Sequence, residues 1–321
     1  MIVIIDGMNL FLRYYFANSH EVNGENIPCS GITGFLNFIQ WFSNKNPITE
    51  IIVIWEQGGS NKRRKKIFHE YKNGRSGLAA FDEINNAYDN IDEKRDEFLK
   101  LIRESKAKNN ENIISWQILT LISLLQYLPI RQIFIKDSEC DDIVAYLVFK
   151  LKEKKEKIAI VSSDRDYYQL LDTEKNIVIF DPGKKTFIDC DYVKENYGVM
   201  PHNFLLVRSI VGDPSDDING INGISVKTII KYFPELISEK EFLIQEFIEL
   251  CKKKLKTSQS EPEKRVLKLI IDNESIIRRN WKLMYLLDNL LSRQINKVEN
   301  ILNEKLEPAN KFGLMKETVK V

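Results

Sequence analysis

Ile158-Ala159-Ile160-Val161-Ser162-Ser163-Asp164-Arg165-Asp166 decides the fold. A β-branched apolar run stops at two serines and two carboxylates, the pattern of a buried strand leaving its sheet. The design recurs. Ile2-Val3-Ile4-Ile5 ends at Asp6-Gly7, and Ile51-Ile52-Val53-Ile54 ends at Trp55-Glu56; Gln132 to Ile135 and Ile177 to Phe180 are further strand candidates. Amphipathic, helix-length segments separate these runs, which predicts an α/β fold, a mainly parallel sheet flanked by helices. In such sheets ligands gather beyond the carboxyl ends of the strands, so Asp6, Glu56, Asp164 and Asp166 are expected to converge there.

Between two of those strands lies Glu139-Cys140-Asp141-Asp142. With Asp164 and Asp166 it makes five carboxylates beside apolar segments, Ile143 to Phe149 and Ile158 to Val161, with few basic partners nearby. Unpaired buried carboxylates repel one another and cost several kcal/mol each. Hard divalent cations take oxygen ligands and remove that repulsion, so the cluster reads as the floor of a magnesium or manganese site. Helix N-caps would explain Asp141, Asp142 or Asp164 singly, but not the separated clusters as a set.

Composition bounds the class. With 321 residues, 43% hydrophobic and 29% charged, the chain is long enough for one large α/β domain and a smaller one. The net charge of +1 conceals segregation, because Lys62-Arg63-Arg64-Lys65-Lys66, Lys252-Lys253-Lys254-Leu255-Lys256 and Arg278-Arg279 are basic runs. Four scattered cysteines form no CxxC pair, and three dispersed histidines exclude histidine-based metal chemistry. No stretch approaches transmembrane length and no charged n-region opens the chain, so no membrane partner and a reducing cytoplasm are expected.

In chain order, Asn9 to Ala17 reads as a helix leaving the first strand, and Gly31 to Ile39 as a glycine-opened turn feeding another. After Glu56, seven Lys or Arg residues fall between Lys62 and Arg75 with one acidic residue among them, which suits a phosphodiester lying over metals. Residues 76–116 are helix-forming but mostly polar, with a thin apolar stripe (Leu78, Phe81, Ile84, Tyr88, Ile91, Phe98, Leu99, Ile102). They are expected to form a mobile insertion above the site. Trp116 to Leu128 reads as an apolar helix ended by Pro129, and Tyr167 to Leu171 as the start of another. From Val193 onward the pattern is helical with no strand signal, dividing the chain into 1–191 and 192–321.

Gly212-Asp213-Pro214-Ser215-Asp216-Asp217-Ile218-Asn219-Gly220-Ile221-Asn222-Gly223-Ile224-Ser225-Val226-Lys227-Thr228 carries two signals. Asp213 and Asp216, three apart, can face a second cation. Gly220 to Ser225 is a glycine-punctuated hairpin whose backbone N–H groups, with Lys227, suit a phosphate.

Together these residues resemble the 5′-nucleases of the flap endonuclease superfamily, which includes the 5′-nuclease domains of bacterial DNA polymerase I, phage 5′-exonucleases and phage ribonuclease H. The resemblance spans about the first 235 residues. Asp6-Gly7 with Arg13 is similar to the family's first-strand motif, and Glu56 takes its second acidic position, usually an aspartate. Tyr71-Lys72-Asn73-Gly74-Arg75 resembles the Tyr-Lys-x-x-Arg element, Glu139, Asp141 and Asp142 the Glu-x-Asp-Asp motif, and Asp164 and Asp166 the Ser-x-Asp-x-Asp motif. Asp213 and Asp216 open a helix-three-turn-helix element, about residues 196–236, in which Ser225 replaces the usual last glycine.

The resemblance implies a PIN-like nuclease core over 1–191, a helical arch at 76–116 that passes the single-stranded 5′-end, and a helix-three-turn-helix subdomain with C-terminal helices over 192–321. It implies two Mg²⁺ or Mn²⁺ ions. Asp6, Glu56, Glu139, Asp141 and Asp142 would hold the first, and Asp164, Asp166, Asp213 and Asp216 the second. Lys72 would act on the scissile phosphate and Arg75 would steer the 5′-strand; Arg13, Arg64, Gly220, Gly223, Ser225 and Lys227 would contact DNA. A K⁺ at the hairpin belongs to the same pattern, and Ser225 bears on it, since a residue there needing positive φ would be strained. The implied activity is 5′-to-3′ exonuclease or flap-endonuclease cleavage of flapped or branched DNA and RNA–DNA hybrid, removing primers during replication and repair. The enzyme is expected to be a monomer, with a single-strand-binding protein or clamp as partner.

Two rivals share parts of this pattern. A PIN-type ribonuclease has the acidic sheet end but not the hairpin or the long helical extension, and a non-catalytic structure-specific DNA-binding factor would not need so many carboxylates. No polymerase module follows, so a stand-alone nuclease of phage or bacterial type is expected. The tail Asn310 to Val321, with Phe312, Leu314 and Met315, is read as a frayed end or a strap over the core rather than a partner-binding peptide.

Overall fold

In the computed structural model, residues 1–17, 20–57, 59–73, 91–104, 110–287 and 289–318 are described. The apolar runs become β1 (Ile2–Asp6), β2 (Glu50–Glu56), β3 (Arg131–Ile135), β4 (Ile158–Val161) and β5 (Ile177–Asp181). With β6 (Thr186–Ile188) they form a six-stranded sheet in the order β3-β2-β1-β4-β5-β6. All pairings are parallel except β5 with β6. Asp6 lies level with Ile54, so Glu56 stands two residues farther along its neighbour, and Val161 lies level with Ile5. The strands read as unbroken apolar runs because both faces are covered. Val3, Ile5, Val53 and Trp55 enter one core, and Ile2, Ile4, Ile52 and Ile54 the other.

The first core lies under α1 (Gly7–Ala17) and α2 (Ser30–Lys45), which supply Leu10, Phe11, Phe35 and Phe38. A short α3 (Lys62–Ile67) carries the basic run. α4 (Ile91–Glu104) buries Ile91, Arg95 and Phe98, and its Ile91 and Phe98 join the first core; this part of the expected insertion packs down rather than projecting. α5 runs from Asn110 to Leu125 and is buried continuously from Ile113. The expected boundary at 116 therefore cuts through a helix whose polar first turn, Asn110-Glu111-Asn112, hid its start. The remainder of the expected arch, 76–90 and 105–109, lies outside the described residues, as does Arg75.

α6 (Cys140–Leu151) covers the second face of the sheet. After β6 come α7 (Cys190–Tyr197) and α8 (Pro201–Val211). The expectation of no further strand fails by a small margin: β7 (Gly212–Asp213) and β8 (Ile218–Asn219) pair antiparallel across the aspartate loop. α9 (Val226–Tyr232), α10 (Ile244–Thr257), α11 (Glu261–Asp272) and α12 (Glu274–Met284) then enclose a third core containing Leu206, Ile210, Ile229, Phe233, Phe247, Leu267 and Ile277.

The chain does not end in that subdomain. α13 (Ser292–Asn303) returns to the sheet, burying Val298 in the second core, while buried Arg131 of β3 pairs with Glu50 at 3.0 Å and donates to the carbonyl of Glu304. α14 (Lys311–Thr318) lays Leu314 on the first core, and the amide of Asn310 donates to the carbonyl of Tyr127. Phe312 and Met315 stay exposed.

Candidate metal and nucleic-acid site

Strand geometry delivers the first carboxylates. Asp6 ends β1 and is buried; it accepts from the amide of Asn9 at 3.1 Å and the hydroxyl of Tyr167 at 3.2 Å. Burial pushes its carboxyl up to about 6, and repulsion from Asp164 adds to that. Glu56 ends β2 and accepts from Ser60. Burial raises its pKa, although Lys72 pulls it the other way. Asp164 follows β4, is exposed, and caps a 3₁₀ turn, Arg165–Leu170, by accepting from the amide of Asp166. That tight turn replaces the α-helix expected from Tyr167. It turns Asp166 inward, where burial and the neighbouring Asp164 push its carboxyl up to about 7.

The Glu139-Asp141-Asp142 group at the start of α6 is not short of basic partners. Arg64 of α3, 1% exposed, ion-pairs with Glu139 at 3.0 Å, Asp141 at 3.2 Å and Asp142 at 2.9 Å. This corrects the phosphate-contact expectation for Arg64: a guanidinium sealed among three carboxylates cannot reach DNA. Lys72 also donates to Glu139, and Tyr71 donates to Glu139 at 3.0 Å and to Asp216 at 3.3 Å. Although burial opposes it, Arg64 and Lys72 hold Glu139 down to about 2. Lys72 adopts a left-handed backbone (φ 50°), and its amide donates to the carbonyl of Asp216, so the Tyr71-Lys72 pair ties the sheet-end acids to the aspartate loop.

That loop brings the last two carboxylates in. Asp166, Asp213 and Asp216 each offer an oxygen within 4.8 Å of the others. Asp213 and Asp216 border a cleft of about 440 Å³ lined also by Asn9, Asp164 and Arg208. Arg208 bridges Asp166 at 2.8 Å and Asp213 at 2.6 Å. Burial works against ionisation of Asp213, but Arg208 prevails and keeps its carboxyl below the usual range. Sequence reasoning missed Arg208, Tyr167 and Asn289. A lone arginine inside the apolar run Phe204 to Val211, five residues before Asp213, was the available signal for the first, since a charge there needs a partner.

The hairpin holds without strain. Gly223 takes φ +84°, and a Cβ on Gly220 would lie 2.0 Å from the carbonyl oxygen of Val211. Ser225 has φ −112° and caps α9, accepting from the amide of Thr228, so its replacement of glycine requires no left-handed backbone. Lys227 and Arg13 are exposed.

The donor set fits a hard divalent cation. It is all carboxylate, and burial, with repulsion from the neighbouring Asp164, raises the pKa of Asp6 and Asp166, a cost that a bound cation would offset.

The family model for the 5′-3′ exonuclease, N-terminal resolvase-like domain, matches residues 1–198. The 5′-3′ exonuclease of Buchnera aphidicola subsp. Schizaphis graminum is 29% identical over 229 residues, 71% of this chain and 68% of that protein. DNA polymerase I of Bacillus subtilis is 25% identical over 262 residues, 81% of this chain but 26% of the polymerase. Among solved structures, the phage T5 5′-exonuclease with divalent metal ions (zinc) bound superposes with a TM-score of 0.63 at 19% identity, covering 99% of this chain and 97% of that one. The T5 D15 flap endonuclease in a pseudo-enzyme-product complex with DNA and metal ions gives 0.62 at 19% identity, with the same coverage. The chain belongs to the 5′-3′ exonuclease family.

Proposed function

We propose that the chain hydrolyses phosphodiesters near the 5′-ends of flapped, branched or RNA-primed duplexes, using two divalent ions, Mg²⁺ or Mn²⁺. It is a 5′-nuclease and a phosphodiester hydrolase acting in replication and repair. The observation that carries the metal assignment is the meeting of Asp166, from the sheet end, with Asp213 and Asp216, from the helical region. Acids that far apart in sequence converge at the end of a buried sheet where a common ligand binds them. We assign Asp6, Glu56, Glu139 and Asp141 to one ion and Asp164, Asp166, Asp213 and Asp216 to the other. Arg64 engages both oxygens of Asp142, as it does those of Asp141, but Asn289 holds Asp142 in addition, which makes it the anchor of its motif. Bound cations would acidify an attacking water and stabilise the leaving 3′-oxygen.

The chain's own residues supply the rest. Lys72, between Glu139 and Asp216, places a fixed positive charge where a phosphoryl group would develop negative charge. Lys227 and the exposed Asn222-Gly223 turn offer a charge and backbone donors to a duplex phosphate, and the resemblance would place a K⁺ at this hairpin. The test is Asp213→Asn with Asp216→Asn. Loss of cleavage with retained binding to a flapped duplex is expected, and cleavage at the unsubstituted rate would overturn the assignment.

A further inference from the structure

Arg64 and Asn289 reach the acid motif from opposite ends of the chain. The Nε of Arg64 donates to the carbonyl of Leu283 at 2.7 Å. Its Nη1 donates to Asp141 at 3.2 Å and Asp142 at 3.3 Å, and its Nη2 to Asp141 at 3.2 Å and Asp142 at 2.9 Å. The Nδ2 of Asn289 donates to Asp142 at 2.7 Å and to the carbonyl of Tyr285. Gln169, just beyond Asp166, grips the same segment, donating to the carbonyl of Met284 at 3.0 Å and accepting from the amide of Leu286 at 3.3 Å. Leu283, Met284, Leu286 and Asn289 thus bond to Arg64, to Gln169 and to Asp142 itself, and they lie beyond the 1–198 covered by the family model.

We propose that Arg64, held by the Leu283 carbonyl, and Asn289 are positioning residues that set the orientation of Asp141 and Asp142, and thereby the affinity of the acid site for divalent cations. The inference rests on the metal-dependent reading above. A planar fork satisfies two carboxylates and a carbonyl at fixed angles, whereas a lysine ammonium offers one donor point and cannot replace it. Partners that orient metal ligands are typically worth about 10–100-fold in metal affinity.

The experiment measures Mn²⁺ binding to the DNA-free protein by calorimetry, alongside flap cleavage as a function of Mg²⁺, for R64K and N289A. Expected are at least tenfold weaker Mn²⁺ binding for R64K and at least threefold for N289A. Cleavage should be largely restored at saturating Mg²⁺, and binding of flapped DNA in EDTA should be unchanged. Should R64K not fold, N289A, at the half-buried edge of the cluster, decides. Mn²⁺ binding and Mg²⁺ dependence equal to wild type would overturn the inference. A wild-type protein that neither binds Mn²⁺ nor cuts would instead overturn the functional reading beneath it.

Discussion

Replacing Asp6 with asparagine should stabilise the protein while removing its activity. The carboxyl stands near 6 in the folded chain against an ordinary value of 3.8. At about 1.4 kcal/mol per tenfold change in acidity, keeping that buried group ionised costs about 3 kcal/mol. Asparagine has the same shape, and its carbonyl can still accept from the amide of Asn9. Part of the gain is lost because the amide NH₂ suits the Tyr167 hydroxyl less well, leaving about 1–3 kcal/mol. The sign follows from the raised pKa. The folded state holds this proton more tightly than the unfolded one, so the penalty is absent below about pH 4, grows as pH rises toward 6, and is complete by about pH 7. Urea denaturation in EDTA from pH 4 to 8 should show Asp6→Asn matching wild type at the acid end and exceeding it at neutral pH. Added Mg²⁺ should narrow or reverse the gap by stabilising wild type. An Asp6→Asn protein no more stable than wild type at pH 8, or more stable by the same amount at every pH, would refute the idea of an uncompensated carboxylate.

Other outcomes follow from the same geometry. Lys72→Ala should lower the cleavage rate about 10²–10³-fold while binding of flapped DNA changes little; single-turnover kinetics beside a gel-shift titration separate the two. Gly220→Ala forces a Cβ against the Val211 carbonyl, and thermal melting should register about 1–3 kcal/mol of destabilisation. Ser225→Ala removes the cap of α9 and should cost about 1 kcal/mol, whereas Ser225→Gly should cost only a few tenths; denaturant midpoints of the pair distinguish capping from a glycine requirement.

The five parallel strands and the acids ending them were legible because a strand buried on both faces must be apolar throughout, so its polar end is conspicuous. The aspartate loop was legible for a different reason: Asp213, Asp216 and the two glycines lie close together in sequence. What could not be read was pairing across distance. Arg64 sits in a basic run that read as a phosphate-facing surface, whereas it is buried and bonded to the carbonyl of Leu283, 219 residues away. Arg208 and Asn289 choose their partners only once the helices pack. The edge strand β6 was hidden behind Pro182-Gly183-Lys184-Lys185, which reads as a turn. The strain feared at Ser225 came from assuming a positive φ that only the folded hairpin could test; the left-handed position is Gly223.

The most direct test of the account is cleavage of a duplex bearing a labelled 5′-flap, in Mg²⁺ or Mn²⁺ and in EDTA, beside an RNA-primed duplex and single-stranded RNA. The account predicts metal-dependent cuts near the flap junction or stepwise from the 5′-end, none of them in EDTA. Cutting of single-stranded RNA alone, or tight binding of the flap without cleavage in either metal, would contradict it.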